Sequence, residues 1–308
     1  MKEPSISTPS DLPPEFLAYK SELEESSNES GKKGILKLEL EEDVRIKKTV
    51  IKEHYAKVPL FIQRALYLEE SIPSMAYIYV ISPSGGILQG DRYRIGIKLS
   101  NNAHAHITTQ GATRIYKMEK DYATQMIDIV VEKGCYCEYI PDQIIPYANS
   151  RFYQLTNLKV HETATMIYSE ILVPGRVASG ENFEYDICYI KTVATNHADK
   201  LRFIDVLKLM PKKDNFNARG IMENFSILGN VYILAKVNHA KHLKEEINSI
   251  VKNIRKIQGG ASILPDRHGI AVRLLGNTTE HIKNVVYEIL NVSRRTILGG
   301  SFSKMRKS

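Results

Sequence analysis

The segment "QMIDIVVEKGCYCEYI", residues 125–140, contains the pattern that decides the fold class. On both sides of a turn at Gly134, apolar and polar residues alternate, which is the spacing of half-buried β-strands. The same alternation recurs in "ILKLELEEDVRIKKTVIKEHY" (35–55), "RYRIGIKL" (92–99) and "AHAHITT" (103–109). The sequence therefore predicts β structure from Gly34 to about Met210.

The last hundred residues change to a helical period. In "AKHLKEEINSIVKNIRKIQ" (240–258) the apolar residues fall on one helical face, and Gly259 and Gly260 are expected to end that helix. A hairpin is predicted in residues 261–276, and Thr278 or Thr279 can cap a second amphipathic helix. We expect helices at about 240–257 and 279–297, which makes the protein α+β and mostly β.

The N-terminus differs in composition from the rest of the chain. Residues 1–30 are rich in Ser, Pro and Glu and contain seven acidic residues and two lysines, within a chain of net charge +7. This composition predicts a disordered acidic leader, with a short helix from Glu15 to Glu25. Residues 31–308 are expected to form a single domain.

Composition excludes several classes of protein. The longest strongly apolar run is about six residues, against the roughly 20 that a membrane span requires, and no signal peptide is evident. Three cysteines without a C-x-x-C motif indicate a reduced, cytoplasmic location. Basic residues are not interleaved with aromatic ones, which argues against a nucleic-acid partner and favours an acidic protein surface.

The loop "SPSGGILQGD", residues 82–91, resembles a phosphate-binding loop in the spacing of Gly85 and Gly90. Asp91 and Arg92 follow where that motif has Lys and Ser or Thr. Because a carboxylate repels a polyphosphate, the loop is expected to serve a ligand that tolerates negative charge.

Two pairs of metal-ligating residue types share strand faces. His104 and His106 point to one side of a predicted strand, as do Cys135 and Cys137. Either pair offers two ligands to a metal ion. The alternatives are a solvated strand face for the histidines and simple burial for the cysteines, and burial is favoured for the cysteines.

Carboxylates are the more abundant candidates for chemistry. They are Asp91, Glu138, Asp142, Glu170, Glu181 and Glu184, all in or beside the β region. A pair of them could serve a β-rich, carboxylate-dependent hydrolase, and solvent exposure is the alternative. Ser82 and Ser84 lack the G-x-S-x-G frame of a nucleophile, so no catalytic residue is assigned.

Four segments together carry a family resemblance: "SPSGGILQGD", "HITTQGATRIYK", "CEYIPDQIIPYANSRF" and "EILVPGRVASGENF". In this order they are similar to the signature segments of the urease accessory protein family UreD, called UreH in some organisms. Gly85, Gly86, Gly90 and Asp91 match its glycine-rich segment, Thr108 to Gln110 its T-T-Q segment, and Glu170, Gly175, Arg176, Gly180 and Glu181 its last segment. The leader has no counterpart in the family pattern.

The resemblance implies a β-helical, barrel-like body and a non-catalytic chaperone that helps to insert nickel into apo-urease. It implies UreF, the GTPase UreG and apo-urease as partners, with dimerisation through the UreF-containing complex. Nickel would be cargo in transit, with no tightly bound cofactor. Carboxylates are expected to line its route, because weak, spaced oxygen ligands can release a divalent ion. The expected metal residues are Asp91, Glu138, Asp142, Glu170 and Glu181.

Overall fold

A computed structural model describes residues 12–19, 31–216, 218 and 221–303. Within these ranges the chain forms seventeen strands and three α-helices. The strands are β1 Lys33–Asp43, β2 Lys48–Lys57, β3 Phe61–Ile62, β4 Ala76–Ile81, β5 Arg92–Ser100, β6 His104–Thr109, β7 Thr113–Ile115, β8 Ala123–Val131, β9 Tyr136–Tyr139, β10 Ile144–Pro146, β11 Arg151–Val160, β12 Thr165–Leu172, β13 Ile187–Asn196, β14 Leu201–Leu209, β15 Ile227–Leu234, β16 Ile257–Ile263 and β17 Gly269–Gly276. The helices are α1 Pro14–Leu17, α2 Val237–Asn253 and α3 Thr279–Leu298.

The strands form two sheets between which the chain passes repeatedly. Sheet A has the order β14-β13-β11-β8-β5-β1-β2, and the main path of sheet B has the order β16-β17-β15-β12-β9-β6-β4-β3. From β4 to β13 the chain alternates between the sheets, and successive strands within each sheet pair in parallel. The short strands β7 and β10 pair with each other in parallel and lie off the main path of sheet B. This winding is β-solenoid-like, and the predicted mostly β fold is confirmed.

Parallel strands require cover on both faces, and the layers supply it. One core lies between the sheets and contains residues such as Ile97, Ile129 and Tyr168. A second core lies between sheet B and the helices α2 and α3. All eight residues of β12 are buried because this strand contributes to both cores.

The two long helices carry the apolar faces that the sequence predicts. Leu243, Ile247 and Val251 of α2 are buried, and the five apolar residues of α3 that the pattern selects are buried as well. They are Ile282, Val285, Val286, Ile289 and Leu290. Thr278 caps α3 by accepting a hydrogen bond from the His281 amide. None of the helices among the described residues has the length and apolarity needed to cross a membrane.

The end of α2 differs from the prediction of a helix to about residue 257. The helix ends at Asn253, and Gly259 and Gly260 lie inside β16 instead of terminating the helix. A Cβ atom added at Gly259 would come within 2.2 Å of the Arg273 carbonyl oxygen, so glycine permits the close approach of β16 to β17. The two glycines therefore belong to the hairpin, which ends at Gly276 as predicted but begins at Ile257 instead of Ala261.

The predicted leader falls mainly on residues 1–11 and 20–30, which are outside the described residues. Residues 12–19 are described, and they overlap the start of the helix predicted from Glu15 to Glu25, of which residues 20–25 lie outside the described residues. They form the single turn α1, and Phe16 is fully buried against the outer face of sheet A. Phe16 packs here because burying its large apolar side chain is favourable, although the surrounding sequence is polar.

Candidate functional site

A cavity of about 210 Å³ lies between the two sheets and is lined by successive coils of the solenoid, from β4 to β12. All four signature segments contribute to its lining, although they are far apart in sequence. Their lining residues include Ser82, Gly85, Gly86 and Ile87, then Thr109, Gln110 and Thr113, then Pro141, Asp142 and Ile144, and finally Glu170 and Ile171. Parallel stacking of strands produces this convergence, because equivalent turns of successive coils lie above one another.

Glu170 is the acidic group in the interior of this cavity. It lies on β12, on the face turned towards sheet A, and its Oε1 accepts hydrogen bonds from Tyr168 at 2.5 Å and from Gln154 and Thr192 at 3.3 Å each. Burial raises the pKa of the Glu170 carboxyl, and these hydrogen bonds only partly oppose that effect. The charged form of this carboxyl is therefore costly in the cavity.

Asp142 is the second carboxylate on the cavity wall. It follows β9, and its backbone amide donates to Thr109 Oγ1 at 2.8 Å. Its Oδ1 lies 2.5 Å from Nζ of Lys283 on α3, with both side chains mostly buried. Asp142 therefore connects the cavity with the helical layer.

Asp91 forms a structural corner beside this cavity and does not line it. The buried carboxylate accepts hydrogen bonds from the amides of Lys32 and Leu88 at 2.8 and 2.9 Å and from the Tyr93 hydroxyl at 3.0 Å. Gly90 has a φ of +77°, which only glycine adopts readily. These contacts join the loop to the start of β1. They give Asp91 a structural role in the loop that does not involve a phosphate ligand.

Glu181 lies at the surface, away from the cavity lining. It pairs with Arg176, whose Nε donates to Oε2 at 2.9 Å, and the Ala148 amide donates to the same oxygen at 3.2 Å. The hydrogen bond from Arg176 lowers the pKa of the Glu181 carboxyl. Because the Arg176 guanidinium also stacks over Tyr147 at 4.2 Å, the motif makes a braced turn.

Glu138 belongs to a closed ionic network between sheet B and α3. Arg294 is 0% exposed and donates to both Glu138 oxygens, at 2.8 and 2.7 Å, and to Glu69 at 3.0 Å. His106 Nδ1 lies 2.5 Å from Glu138, and the Tyr136 hydroxyl donates to it at 2.9 Å. Burial alone would raise the pKa of Glu138, but Arg294 and His106 lower it to about 2.

The histidine and cysteine pairs have separate explanations. His106 belongs to the Glu138 network, whereas His104 Nδ1 lies 3.3 Å from the Ser74 hydroxyl. Cys135 and Cys137 are buried, as favoured, and burial raises the pKa of Cys135 to about 11, so its thiol stays protonated at neutral pH. Across the described ranges, no group of three His, Cys, Asp or Glu side chains is placed to hold a metal ion.

Of the five predicted metal residues, the structure thus brings Asp142 and Glu170 to one cavity and places Asp91, Glu138 and Glu181 elsewhere. The contacts of these three indicate structural roles. Sequence reasoning did not single out Arg294. A signal was available, because Arg294 follows Leu290 by four residues and so lies on the apolar face of α3. Lys283 and Gln154 carried no comparable signal.

Comparison with known proteins gives the same family as the four segments. A sequence model of the family described as UreD urease accessory protein matches residues 32–308. The chain belongs to the UreD family. It is 41% identical over 278 residues to the urease accessory protein UreD of Cenarchaeum symbiosum (strain A), covering 90% of this chain and 97% of the relative.

Bacterial members of the UreD family are nearly as similar. The chain is 37% identical over 290 residues to urease accessory protein UreD 2 of Brucella suis biovar 1, covering 93% and 95% of the two chains. It is 35% identical over 289 residues to UreD of Yersinia pseudotuberculosis serotype O:1b, covering 93% and 89%. These names describe an accessory protein of an enzyme. They agree with the predicted absence of catalysis and leave the hydrolase alternative without support.

Proposed function

We propose that this UreD family member is a maturation chaperone that assists the insertion of nickel into apo-urease, acting with UreF and the GTPase UreG. The observation that carries the proposal is the convergence of all four signature segments on one cavity that contains Glu170 and Asp142. A packed apolar core would not require such polar groups in its interior. A small divalent cation is a cargo that its oxygen-rich wall can accept.

The chemistry of the wall supports transfer of a cation. Glu170, Tyr168 and Gln154 offer carboxylate, hydroxyl and amide oxygens, which bind borderline metals less tightly than thiolate or imidazole groups do. Because burial raises the pKa of Glu170, protons compete more strongly with a cation for this carboxylate, which weakens the binding of the cation. The site is therefore suited to releasing its cargo.

Asp142, which follows the neighbouring strand of the same sheet, also supports the proposal. Its carboxylate is held by Lys283, so a cation that approaches it competes with an ammonium group. Such competition weakens the binding of the cation and favours its onward movement. The two carboxylates would thus provide successive weak sites.

The test is nickel loading of urease co-expressed with UreF, UreG and this chain carrying Glu170→Gln or Asp142→Asn. Both variants keep the size of the side chain, so we expect normal assembly and several-fold less nickel in urease when nickel is limiting, with recovery at high nickel. Glu132→Gln is the matched control, because Glu132 lies at the surface in a pair with Lys98. Unchanged loading in both variants would remove the cavity from the route. Full urease activation without this chain would overturn the maturation role itself.

A further inference from the structure

The segment of residues 12–19, here called the leader segment, packs on the solenoid although it lies outside the part of the chain that matches the UreD family. Phe16 is 0% exposed. Its ring meets those of Tyr122, Tyr153 and Tyr189 edge-on, with centroids 5.3, 5.9 and 6.5 Å away. The outer face of sheet A thus holds a pocket for one aromatic side chain.

Charge and backbone contacts accompany this aromatic anchor. Glu15 lies 2.8 Å from Nζ of Lys208 on β14, and the hydrogen bond from Lys208 lowers the pKa of Glu15. The Asp121 amide donates to the Tyr19 carbonyl at 2.9 Å, and the Arg151 guanidinium stacks over the Tyr19 ring at 4.3 Å. Separate groups of the solenoid therefore bind the acidic and the aromatic residue: Lys208 binds Glu15, and the three tyrosines bind Phe16.

The groove extends beyond what the leader segment fills. An open space of about 450 Å³ is lined by Leu12 to Glu15 on one side and by Tyr189, Val206 and Lys208 on the other. Beside it on the edge strand β14, Val206 is 45% and Ile204 is 53% exposed. Apolar surface next to a cation continues along β14, so a longer segment than residues 12–19 can be accommodated.

We propose that this face of sheet A is a docking groove for a partner protein segment that presents an aromatic side chain next to an acidic one, and that the leader segment is the chain's own competing occupant. Charge complementarity with Lys208 and the fit of Phe16 define that chemistry. A tethered occupant acts at an effective concentration on the order of millimolar, so it shields the groove until a better ligand displaces it.

The first arm of the test measures binding in trans and does not depend on the proposed function. A fluorescent peptide LPPEFLAY, which copies residues 12–19, is titrated by anisotropy against the full chain as wild type, Phe16→Ala and Leu17→Ala. We expect Phe16→Ala to bind the peptide roughly tenfold more tightly than wild type, because the cis competitor is weakened. Leu17 is 58% exposed, so Leu17→Ala should behave as wild type.

Specificity and folding are controlled in the same arm. A peptide with Ala in place of Phe should not bind, and Glu15→Arg in the full chain should raise peptide binding about threefold by removing the ion pair with Lys208. Glu15→Arg keeps Phe16 in place, so it tests the proposal even if Phe16→Ala fails to fold. Absence of peptide binding to both variants would overturn the docking groove.

The second arm tests the partner and rests on the proposed function. Full chains with Phe16→Ala or Leu17→Ala are used to retain purified apo-urease, UreF and UreG. We expect the Phe16→Ala chain to retain at least one of them about threefold better, and excess LPPEFLAY peptide to release it. Equal retention by both chains, with no release by peptide, would show that the leader segment is only a structural strap. If the second arm fails while the peptide binds in the first arm, the partner assignment is wrong and the proposed role in nickel insertion is unaffected.

Discussion

Arg294 shows how much one side chain can organise. It is a fully buried guanidinium with four hydrogen bonds to Glu138, Glu69 and Tyr77, and its Nη2 lies 3.4 Å from His106 Nδ1. Buried charges are costly to desolvate, and only complete pairing offsets that cost. The side chain therefore joins α3 to β9 and to the loop before β4 in a specific geometry.

The Glu138 carboxylate should make folding stability depend on acid. Replacing Glu138 by Gln leaves Arg294 with one charge partner fewer, and we expect about 3 kcal/mol less free energy of unfolding at pH 7. The pKa of Glu138 is lowered to about 2 in the folded protein, so its contribution is full above the unfolded value near 4.5 and is lost as pH falls towards 2. Urea titrations should show the difference between the two proteins shrinking below pH 4.5. A difference independent of pH would contradict this assignment.

Asp91 is expected to stabilise the loop that joins the body to β1. Asp91→Ala removes the acceptor for the amides of Lys32 and Leu88 and for the Tyr93 hydroxyl. Since these donors are then buried without an acceptor, the free energy of unfolding should fall by about 1–3 kcal/mol. Thermal melting with Glu132→Gln as the surface control measures it. An unchanged melting temperature combined with reduced nickel loading would instead make Asp91 a transport residue.

Among the elements, α3 is held at both ends. Thr278 caps its start, and the chain after Gly299 brings the Phe302 ring to 5.9 Å from the His106 ring of sheet B. The Ser303 amide donates to Glu69 at 2.7 Å, and the Phe302 ring stacks on Tyr287 with centroids 5.4 Å apart. The segment after the helix thus closes the second core and covers the ionic network.

Removing that segment should destabilise the protein. Truncation after Leu298 deletes the contacts of Phe302 and Ser303, including the cation–π contact of Phe302 with Arg294 at 4.7 Å. We expect a loss of about 2–4 kcal/mol, from an aromatic side chain and a hydrogen bond to a charged group. Truncation after Ser303 is the matched control, because it keeps these contacts. Equal urea midpoints for the two truncated chains would refute the closing role.

The layered architecture distributes stability unevenly. In sheet A the central strands β8 and β11 are paired on both sides, whereas β2 and β14 are edges with one neighbour each. Central strands are also covered by the inter-sheet core, in which Ile127, Ile129 and Phe152 are buried. The solenoid should therefore open from its edges inward.

Hydrogen exchange measures this order. We expect amides of β8 and β11 to exchange at least ~100-fold more slowly than those of β2 and β14, because the central strands open only with the whole body. Peptide-resolved mass spectrometry on the full chain is sufficient, and α2 provides an internal comparison. Exchange of β8 as fast as that of β14 would show that the solenoid does not open from its edges inward.

The sequence by itself determined the features that local patterns encode. Alternation in residues such as 92–99 predicted strands, and the 3.6-residue period predicted the buried faces of α2 and α3, because each pattern reports which side of one element is apolar. The four ordered segments also identified the family. These inferences required no knowledge of which strands are neighbours.

Only the tertiary structure decided which side chains meet. Glu170 and Asp142 share a cavity, while Glu138 faces the opposite side of sheet B and pairs with Arg294, 156 residues away. Strand register and loop length set these meetings, and a shift of one residue would turn each side chain to the other face. The same holds for Phe16, whose pocket is built by Tyr122, Tyr153 and Tyr189 from distant turns of the solenoid. Local periodicity contains no information about such long-range partners, so the site could be recognised only once the sheets were stacked.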